Sequence, residues 1–399
     1  MSSSTRQIPV MFNPLSDGFM GDPHPHYAEV RRHAPVHEHP GGFWMVSRYE
    51  DVEALLRADL SVDKRKALGA ADPARPPRLK GLALIDQDPP DHTRLRKLVS
   101  QAFTPRAMSG IEPIVRELVD RALDELDRAG GGDLVETLAF PLPFAVITRI
   151  LGMPEVDTVR LRELTSLLIR LGEPGAGSAA EADIEAADTE MVELVSDAIS
   201  RKRRDRGDDL LTALIDAEDD GDRLSHDELV AQVAMVYVAG YETTVNLISG
   251  GILALLRNSD QLGLLRATPD LDRNAIEELL RYEPPVHLAR RITLRPHRVG
   301  KHEIPAGSVV LASLAGANRD EEFWGPDADR LRLNRENARR HVSFGGGAHY
   351  CIGGALARIQ GRIAIGELVR RFPDLEQAGE VRWNGLLSLR GAAQLPVRV

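Results

Sequence analysis

The chain has 399 residues, with 50 Lys plus Arg against 60 Asp plus Glu and a formal net charge of −10, a balance that excludes an extended nucleic-acid-binding surface. Its one cysteine rules out an intrachain disulfide and fits a reducing cytoplasm, and the opening MSSSTRQIPVMFNPL lacks the continuous apolar core of a signal peptide. The length exceeds the roughly 250 to 300 residues at which single cores stop growing, so two packed regions inside one body are expected.

Near the N-terminus, His24, His26, His33, His37 and His39 are accompanied by no cysteine and no regular ligand spacing, which argues against a metal site. FWMVSRY (Phe43 to Tyr49) is the first strand candidate. DPARPP (Asp72 to Pro77) and GEPGAGSAAEAD (Gly172 to Asp183) read as loops within one body, not as linkers between domains. From Leu229 to Leu256 the chain is almost wholly apolar, and Ser225 with Glu228 has the spacing of a capping box at its start. Such a run is long enough to span a membrane. Glu242, Thr243, Thr244 and Asn246 near its centre argue instead for a helix buried in protein. There Ala239, Gly240 and Thr243 share a face beside an acid. One reading is a kink, with Thr243 bonding back to a helix carbonyl. The other is a groove for a small ligand, with an alcohol and an acid placed to pass protons.

HEIPAGSVVLASL (His302 to Leu314) and LSLRGAAQLPVRV (Leu387 to Val399) complete the strand candidates, and Ile365, Leu368, Val369 and Phe372 have the spacing of one buried helix face. The fold class is therefore mainly α with a small β region. Cys351 lies in FGGGAHYCIGG (Phe344 to Gly354), where glycines leave few side chains for a thiol to pack against. Glycines here point to a backbone brought close to a partner.

A-G-x-E-T-T at Ala239 to Thr244, E-x-x-R at Glu278 to Arg281 and F-G-x-G-x-H-x-C-x-G at Phe344 to Gly353, in this chain order, resemble the cytochrome P-450 family of haem-thiolate monooxygenases, in its soluble bacterial form. The resemblance runs from about Asp22 to the C-terminus and includes RYEPPV and ANRDEEFWGPD. It implies one P-450 domain over residues 1–399, a helical prism with haem b between a distal central helix and a proximal cysteine loop. Cys351 would be the axial ligand, its thiolate favouring cleavage of the oxygen-oxygen bond. A helix beginning near Gly353 would favour the negative sulfur. His92, Arg96, His349 and Arg291 would meet the haem propionates, while Phe344 and Gly353 shape the cysteine loop and Ala239 and Gly240 the distal groove. Glu278 and Arg281 would be structural, with Arg335 as a third partner even though DADRLRL lacks the family's usual aromatic residue.

The implied activity inserts one atom of dioxygen into a lipophilic small molecule by hydroxylation or epoxidation, in bacterial secondary metabolism. Thr243 would hold dioxygen and a proton-donating water, and Glu242 would feed that relay. Electrons would come from NAD(P)H through a ferredoxin and its reductase, since no flavin or iron–sulfur segment is visible. Arg94, Lys97, Arg358 and Arg362 are the expected docking cations for an acidic ferredoxin. No membrane anchor is expected. The substrate would be lined by Arg78 to Ile85, Leu167 to Gly177, Val238 with Ala239, and Val286 to Ala289, mostly apolar segments that suit a macrolide, terpenoid, steroid or fatty acyl compound. Three rivals remain at this stage: peroxide-driven, ring-coupling or dehydrating haem chemistry; a non-catalytic haem sensor; and a hydrolase using Cys351 as nucleophile with a histidine base.

Overall fold

A computed structural model describes residues 10–68, 82–103, 110–153, 158–170, 179–219 and 222–399. Asp72 to Pro77, Arg78 to Gly81 and the stretch from Leu171 to Ser178 lie outside the described residues. In chain order the helices are α1 (His24–His33), α2 (Tyr49–Arg57), α3 (Asp91–Ala102), α4 (Ile111–Ala129), α5 (Pro141–Leu151), α6 (Thr158–Ile169), α7 (Ala179–Arg204), α8 (Leu210–Asp216), α9 (His226–Leu256), α10 (Ser259–Ala267), α11 (Asp272–Tyr282), the single turns α12 (Leu314–Ala317) and α13 (Glu321–Trp324), and α14 (Gly354–Arg371). The strands are β1 (Val36–His39), β2 (Phe43–Val46), β3 (Gly131–Asp133), β4 (Glu218–Asp219), β5 (Asp222–Arg223), β6 (Leu288–Ile292), β7 (His297–Val299), β8 (His302–Ile304), β9 (Val309–Ser313), β10 (Glu376–Gln377), β11 (Arg382–Trp383), β12 (Ala392–Gln394) and β13 (Pro396–Arg398).

The 31-residue α9 is the axis of the main core and packs against α5, α6, α7, α11 and α14. Its N-terminus is closed as the sequence predicts: Glu228 N donates to Ser225 Oγ at 3.2 Å and Ser225 N to Glu228 Oε2 at 2.8 Å. Leu229 to Ala234 and Thr244 to Leu255 are buried on every side, which accounts for an apolar run without a polar face. No helix among the described residues is long and apolar enough to cross a membrane.

The largest sheet has the order β1-β2-β9-β6, with β2 and β9 parallel, and lies against smaller apolar clusters beside the helical core. Each long strand candidate is cut short. Tyr49 begins α2, where Glu50 and Asp51 in the first turn suit a helix start, and its N–H donates to Asp320 Oδ2 at 2.8 Å. His302 to Leu314 divides into β8 and β9 around Pro305 and Gly307, whose φ of +77° is left-handed. Leu387 to Gly391 is a loop, and only β12, paired with β11, and β13, paired with β10 and β3, are strands. The N-terminal histidines are taken up by local bonds: His24 Nε2 meets Glu283 Oε2 at 3.1 Å, His26 Nδ1 meets Ser16 Oγ at 3.1 Å, His37 Nδ1 donates to Ala34 O at 2.7 Å, and His39 Nε2 donates to Phe12 O at 2.9 Å.

An acid and a base three residues apart usually form a solvated pair of little consequence. Glu278 and Arg281 are fully buried instead, joined in a fork at 2.7 and 2.8 Å. The remaining donors of Arg281 reach the carbonyls of Asn318, Ala328 and Arg330 at 2.7–2.8 Å. Glu278 Oε1 also accepts from Arg332 N at 2.9 Å and from Arg335 Nε at 3.2 Å, which gives Arg335 the role expected of it. Removing the acid would leave the buried guanidinium of Arg281 without a carboxylate, while Arg335 would keep only Asp327 at 3.2 Å. Glu278→Gln should lower unfolding free energy by about 3 to 5 kcal/mol, read from the urea midpoint; a midpoint equal to wild type would contradict this account.

Candidate functional site

The glycine-rich segment is anchored before it reaches the thiol. Ser343 Oγ donates to Leu280 O at 2.6 Å, Val342 N donates to Asn318 Oδ1 at 2.9 Å, and Cys351 N donates to Phe344 O at 2.9 Å. Gly345 and Gly347 have φ of +72° and +60°, and a Cβ on Gly347 would fall 2.8 Å from Leu56 O. These glycines therefore serve a tight turn packed on the end of α2. Gly353 is adjacent to the sulfur, where a Cβ would lie at an ordinary contact distance of 4.0 Å from Cys351 Sγ. Phe344 packs against the main core with the Arg358 guanidinium 4.3 Å above its ring.

Cys351 has accessible surface, yet it is enclosed enough that burial pushes its thiol up, against the pull of the Gly353 and Gly354 N–H groups and of Arg358 and Arg96. It lies just before the 18-residue α14, begun by Gly353 as N-cap. A ligand that replaced solvent and accepted the sulfur's charge would reverse that balance.

Beside the thiol, α3, β6 and the cysteine loop bring basic groups together. The rings of His92 and His349 are 4.1 Å apart. Arg96 Nη2 donates to Tyr350 O at 2.8 Å. Arg291 is 7% exposed and donates to Arg290 O at 2.8 Å. Burial lowers His92, helped by Arg96, and lowers His349 to about 4, helped by His92 and Arg291. Burial also brings Arg291 down to about 10, with Arg290 adding to the effect. His92 Nε2 and Arg290 Nε are buried without a hydrogen-bond partner. The nearby acid Asp88 is already engaged by Ser61 Oγ at 2.5 Å, Val62 N at 2.9 Å and Lys66 Nζ at 2.7 Å. This cluster is short of anions, and a group bearing carboxylates fits it.

Across the centre of α9 the burial breaks. Ala239 is exposed, and Met235, Val236, Val238, Gly240, Glu242 and Thr243 are half-buried, so a cleft runs alongside a helix otherwise enclosed. Gly240 packs closely on α5, where a Cβ would meet the tip of the Ile147 side chain at 3.0 Å. Thr243 Oγ1 donates to Ala239 O at 2.9 Å and Thr244 Oγ1 to Gly240 O at 3.0 Å, the back-bonding of the kink reading. The Thr243 hydroxyl keeps its lone pairs for a water. Glu242 is raised by burial, opposed by hydrogen bonds from Tyr241 and Asn384 and by the charge of Arg162. A raised carboxyl holds its proton nearer to neutral pH, as a proton donor requires.

Three residues of this region were missed from sequence. Gln232, wholly buried on α9, accepts from Leu84 N at 2.9 Å and donates to Leu82 O at 2.8 Å, fixing one end of the expected substrate-lining segment. Its signal was an amide among apolar neighbours near the start of the run. Asn384 and Arg162 carried no comparable signal. Of the expected docking cations, Arg94 is bound to Glu228 and Asp222, Arg358 to Glu277 at 2.8 Å, and Arg362 to Glu112 at 2.9 Å.

A thiol before a long helix, an anion-deficient basic cluster and an acid–alcohol pair on a central helix together suit a haem-thiolate oxygenase. Comparison with known proteins agrees. The family model "Cytochrome P450" matches residues 175–263 and 270–383. The chain is 42% identical to cytochrome P450 107B1 of Saccharopolyspora erythraea over 99% of both chains. It is 41% identical to the vitamin D(3) 25-hydroxylase of Pseudonocardia autotrophica over 96% of this chain and 95% of the relative. The crystal structure of P450BioI in complex with hexadec-9Z-enoic acid ligated acyl carrier protein superposes with a TM-score of 0.90 and 31% identity, covering 96% of this chain and 100% of that one. The chain belongs to the cytochrome P450 family. It has the P450 fold and is a bacterial monooxygenase of that family, whose members carry a haem iron.

If the basic cluster receives the propionates, the double variant His92→Ala/Arg96→Ala forfeits charge-assisted bonds worth about 1.5 to 3 kcal/mol each. Haem transfer to an apo-globin acceptor should then be faster than from wild type. Equal transfer rates would return both residues to ordinary basic side chains.

Proposed function

We propose that the chain acts as one P450 unit, binds haem b through Cys351 and hydroxylates or epoxidises a lipophilic natural product in the cytoplasm. The observation carrying this reading is the accessible thiol before α14 with the anion-deficient cluster of His92, Arg96, Arg291 and His349 beside it. When bound, haem supplies the activation of dioxygen for insertion of one oxygen atom into a C–H or C=C bond. The side chains do the rest. Arg291, His92, Arg96 and His349 hold the propionates, Phe344 and Gly353 shape the space around the sulfur, and Ala239 and Gly240 leave room on the distal side.

Hydroxylation of R–H by dioxygen gives R–OH and water, and the balance requires two electrons and two protons per turnover. The protons must cross a core that excludes bulk water. Thr243, accessible on the cleft, accepts a hydrogen bond from a water there and orients its proton, and Glu242 resupplies that proton. The half-buried apolar side chains of Met235, Val236 and Val238, with Val286 and Ala289, favour a lipophilic substrate, in keeping with the vitamin D(3) and fatty acyl compounds named for the two similar proteins.

The electrons come from NAD(P)H through an acidic ferredoxin. A surface cavity of about 240 Å³ is lined by Arg273, Arg339, Arg358 and Arg362 with Glu112 and Glu277, an arginine-rich rim adjoining the cysteine loop through Arg358. Arg273 and Arg339 are exposed and join the expected set, in which Arg94, Arg358 and Arg362 each already meet an acid. Such contacts are screened over roughly 8 Å at physiological ionic strength. Reduction by an acidic ferredoxin should slow as salt rises, and a flat response removes this docking face.

Cys351→Ala should abolish the thiolate-type spectrum of the reduced carbon monoxide complex, since the chain holds no second thiol; a retained spectrum ends the reading. Thr243→Ala should still bind haem and consume dioxygen and reducing equivalents, yet release hydrogen peroxide in place of product. Product per reducing equivalent equal to wild type would assign the Thr243 hydroxyl to its bond with Ala239 alone.

A further inference from the structure

Glu242 is held from outside its own helix. Asn384, at the end of β11, donates from Nδ2 to Glu242 Oε1 at 3.2 Å and to Leu389 O at 2.8 Å. Its Oδ1 accepts from Leu386 N at 3.1 Å and Gly391 N at 3.3 Å, so one amide closes the loop 384–391 and reaches the acid. One helical turn along α9, Asn246 Nδ2 donates to the same Leu389 carbonyl at 3.0 Å. Helix and loop are packed so tightly that a Cβ on Gly391 would fall 1.7 Å from Asn246 Oδ1. The other groups acting on the carboxyl are the Tyr241 hydroxyl of α9 and Arg162 of α6. Tyr241 is tied to Ser166 Oγ at 3.1 Å, and Arg162 is forked to Glu136 at 2.6 and 2.8 Å. Asn384 thus joins the acid to the C-terminal loop.

We propose that Asn384 is a positioning residue of the proton relay, its amide fixing the Glu242 carboxyl toward the C-terminal loop and stabilising the ionised form. This rests on the reading of Glu242 as proton donor. The amide donor favours the carboxylate, so its loss raises the acid's affinity for a proton and releases its orientation. Leu386, Leu387 and Leu389 of the same loop pack on two different apolar clusters, so a shift of the loop is transmitted to the acid.

Asn384→Asp separates the two roles of the amide. It keeps an oxygen for the Leu386 and Gly391 N–H groups and replaces the donor facing Glu242 by a second acid. In the ferric holoenzyme without turnover, infrared titration of the carboxyl band that Glu242→Gln removes should give a midpoint raised by about one pH unit or more, a tenfold gain in proton affinity. The pH profile of product per reducing equivalent should move in the same direction. Asn246→Leu, which loosens the same loop without touching the acid, should leave the infrared midpoint in place. If Asn384→Asp does not accumulate as holoenzyme, Asn384→Ser, with an oxygen for the loop but no reach to Glu242, should raise the midpoint likewise. An unmoved midpoint in the folded variant, with Glu242→Gln still impairing coupling, overturns the positioning role and leaves the relay standing. A raised midpoint with coupling indifferent to Glu242→Gln supports Asn384 as the holder of the carboxyl and removes the relay instead.

Discussion

The buried fork of Glu278 and Arg281 is the constraint from which the proximal half of the site hangs. A carboxylate and a guanidinium withdrawn from water are tolerable only if every remaining donor and acceptor is met. Meeting them brings in the carbonyls of Asn318, Ala328 and Arg330 and the side chain of Arg335. Asn318 then acts in turn, donating to Ser343 Oγ at 2.7 Å and accepting from Val342 N. Ser343 returns the chain to Leu280 of α11, one residue before Arg281. The loop that presents Cys351 is thus suspended from the helix that carries the ion pair. The role proposed for Cys351 needs a fixed sulfur, and the rigidity of this loop comes from charge satisfaction on its far side.

The distal half is organised by the opposite problem. An apolar helix enclosed along most of its length must still offer polar groups at one place, and α9 does so over the few residues where its burial lapses. Small residues open the surface there, while hydroxyls that donate to the carbonyls four residues back keep the helix's own polar atoms satisfied. The kink and groove readings of this stretch are therefore compatible. Back-bonding uses the Thr243 proton, and the cleft uses its lone pairs.

What was legible in the sequence is what local chemistry fixes. The capping box set the start of α9, and the spacing of Ile365, Leu368, Val369 and Phe372 marked the buried face of α14. Motif order pointed to the thiol and the acid–alcohol pair, whose roles belong to the proposed function. The strand candidates were overlong because alternation alone does not register Gly307 or the acidic first turn of α2. The burial of Glu278 and Arg281 was equally invisible, since a spacing of three is the same in solvent and in the core. Gly346 and Gly347 illustrate a subtler loss: their presence pointed to a close approach, yet the partner is the end of α2, nearly 300 residues away in sequence.

The basic cluster shows why a summed charge says little about a site. The chain is acidic overall, yet His92, Arg96, Arg290, Arg291 and His349 converge from three separate segments. Burial lowers His92, His349, Arg290 and Arg291 together, and a neighbouring base adds to the effect at three of them: Arg96 at His92, Arg290 at Arg291, and His92 with Arg291 at His349. Such a cluster opposes folding unless something supplies negative charge, and its neighbouring carboxylate Asp88 is already spoken for. A ligand bound only by the folded form stabilises it by mass action. An anionic cofactor seated here would relieve the repulsion while binding the thiol, so the same residues that weaken the chain alone would make the loaded protein firm. Charge placement, invisible in the net figure, would then couple folding of this region to occupation of the site.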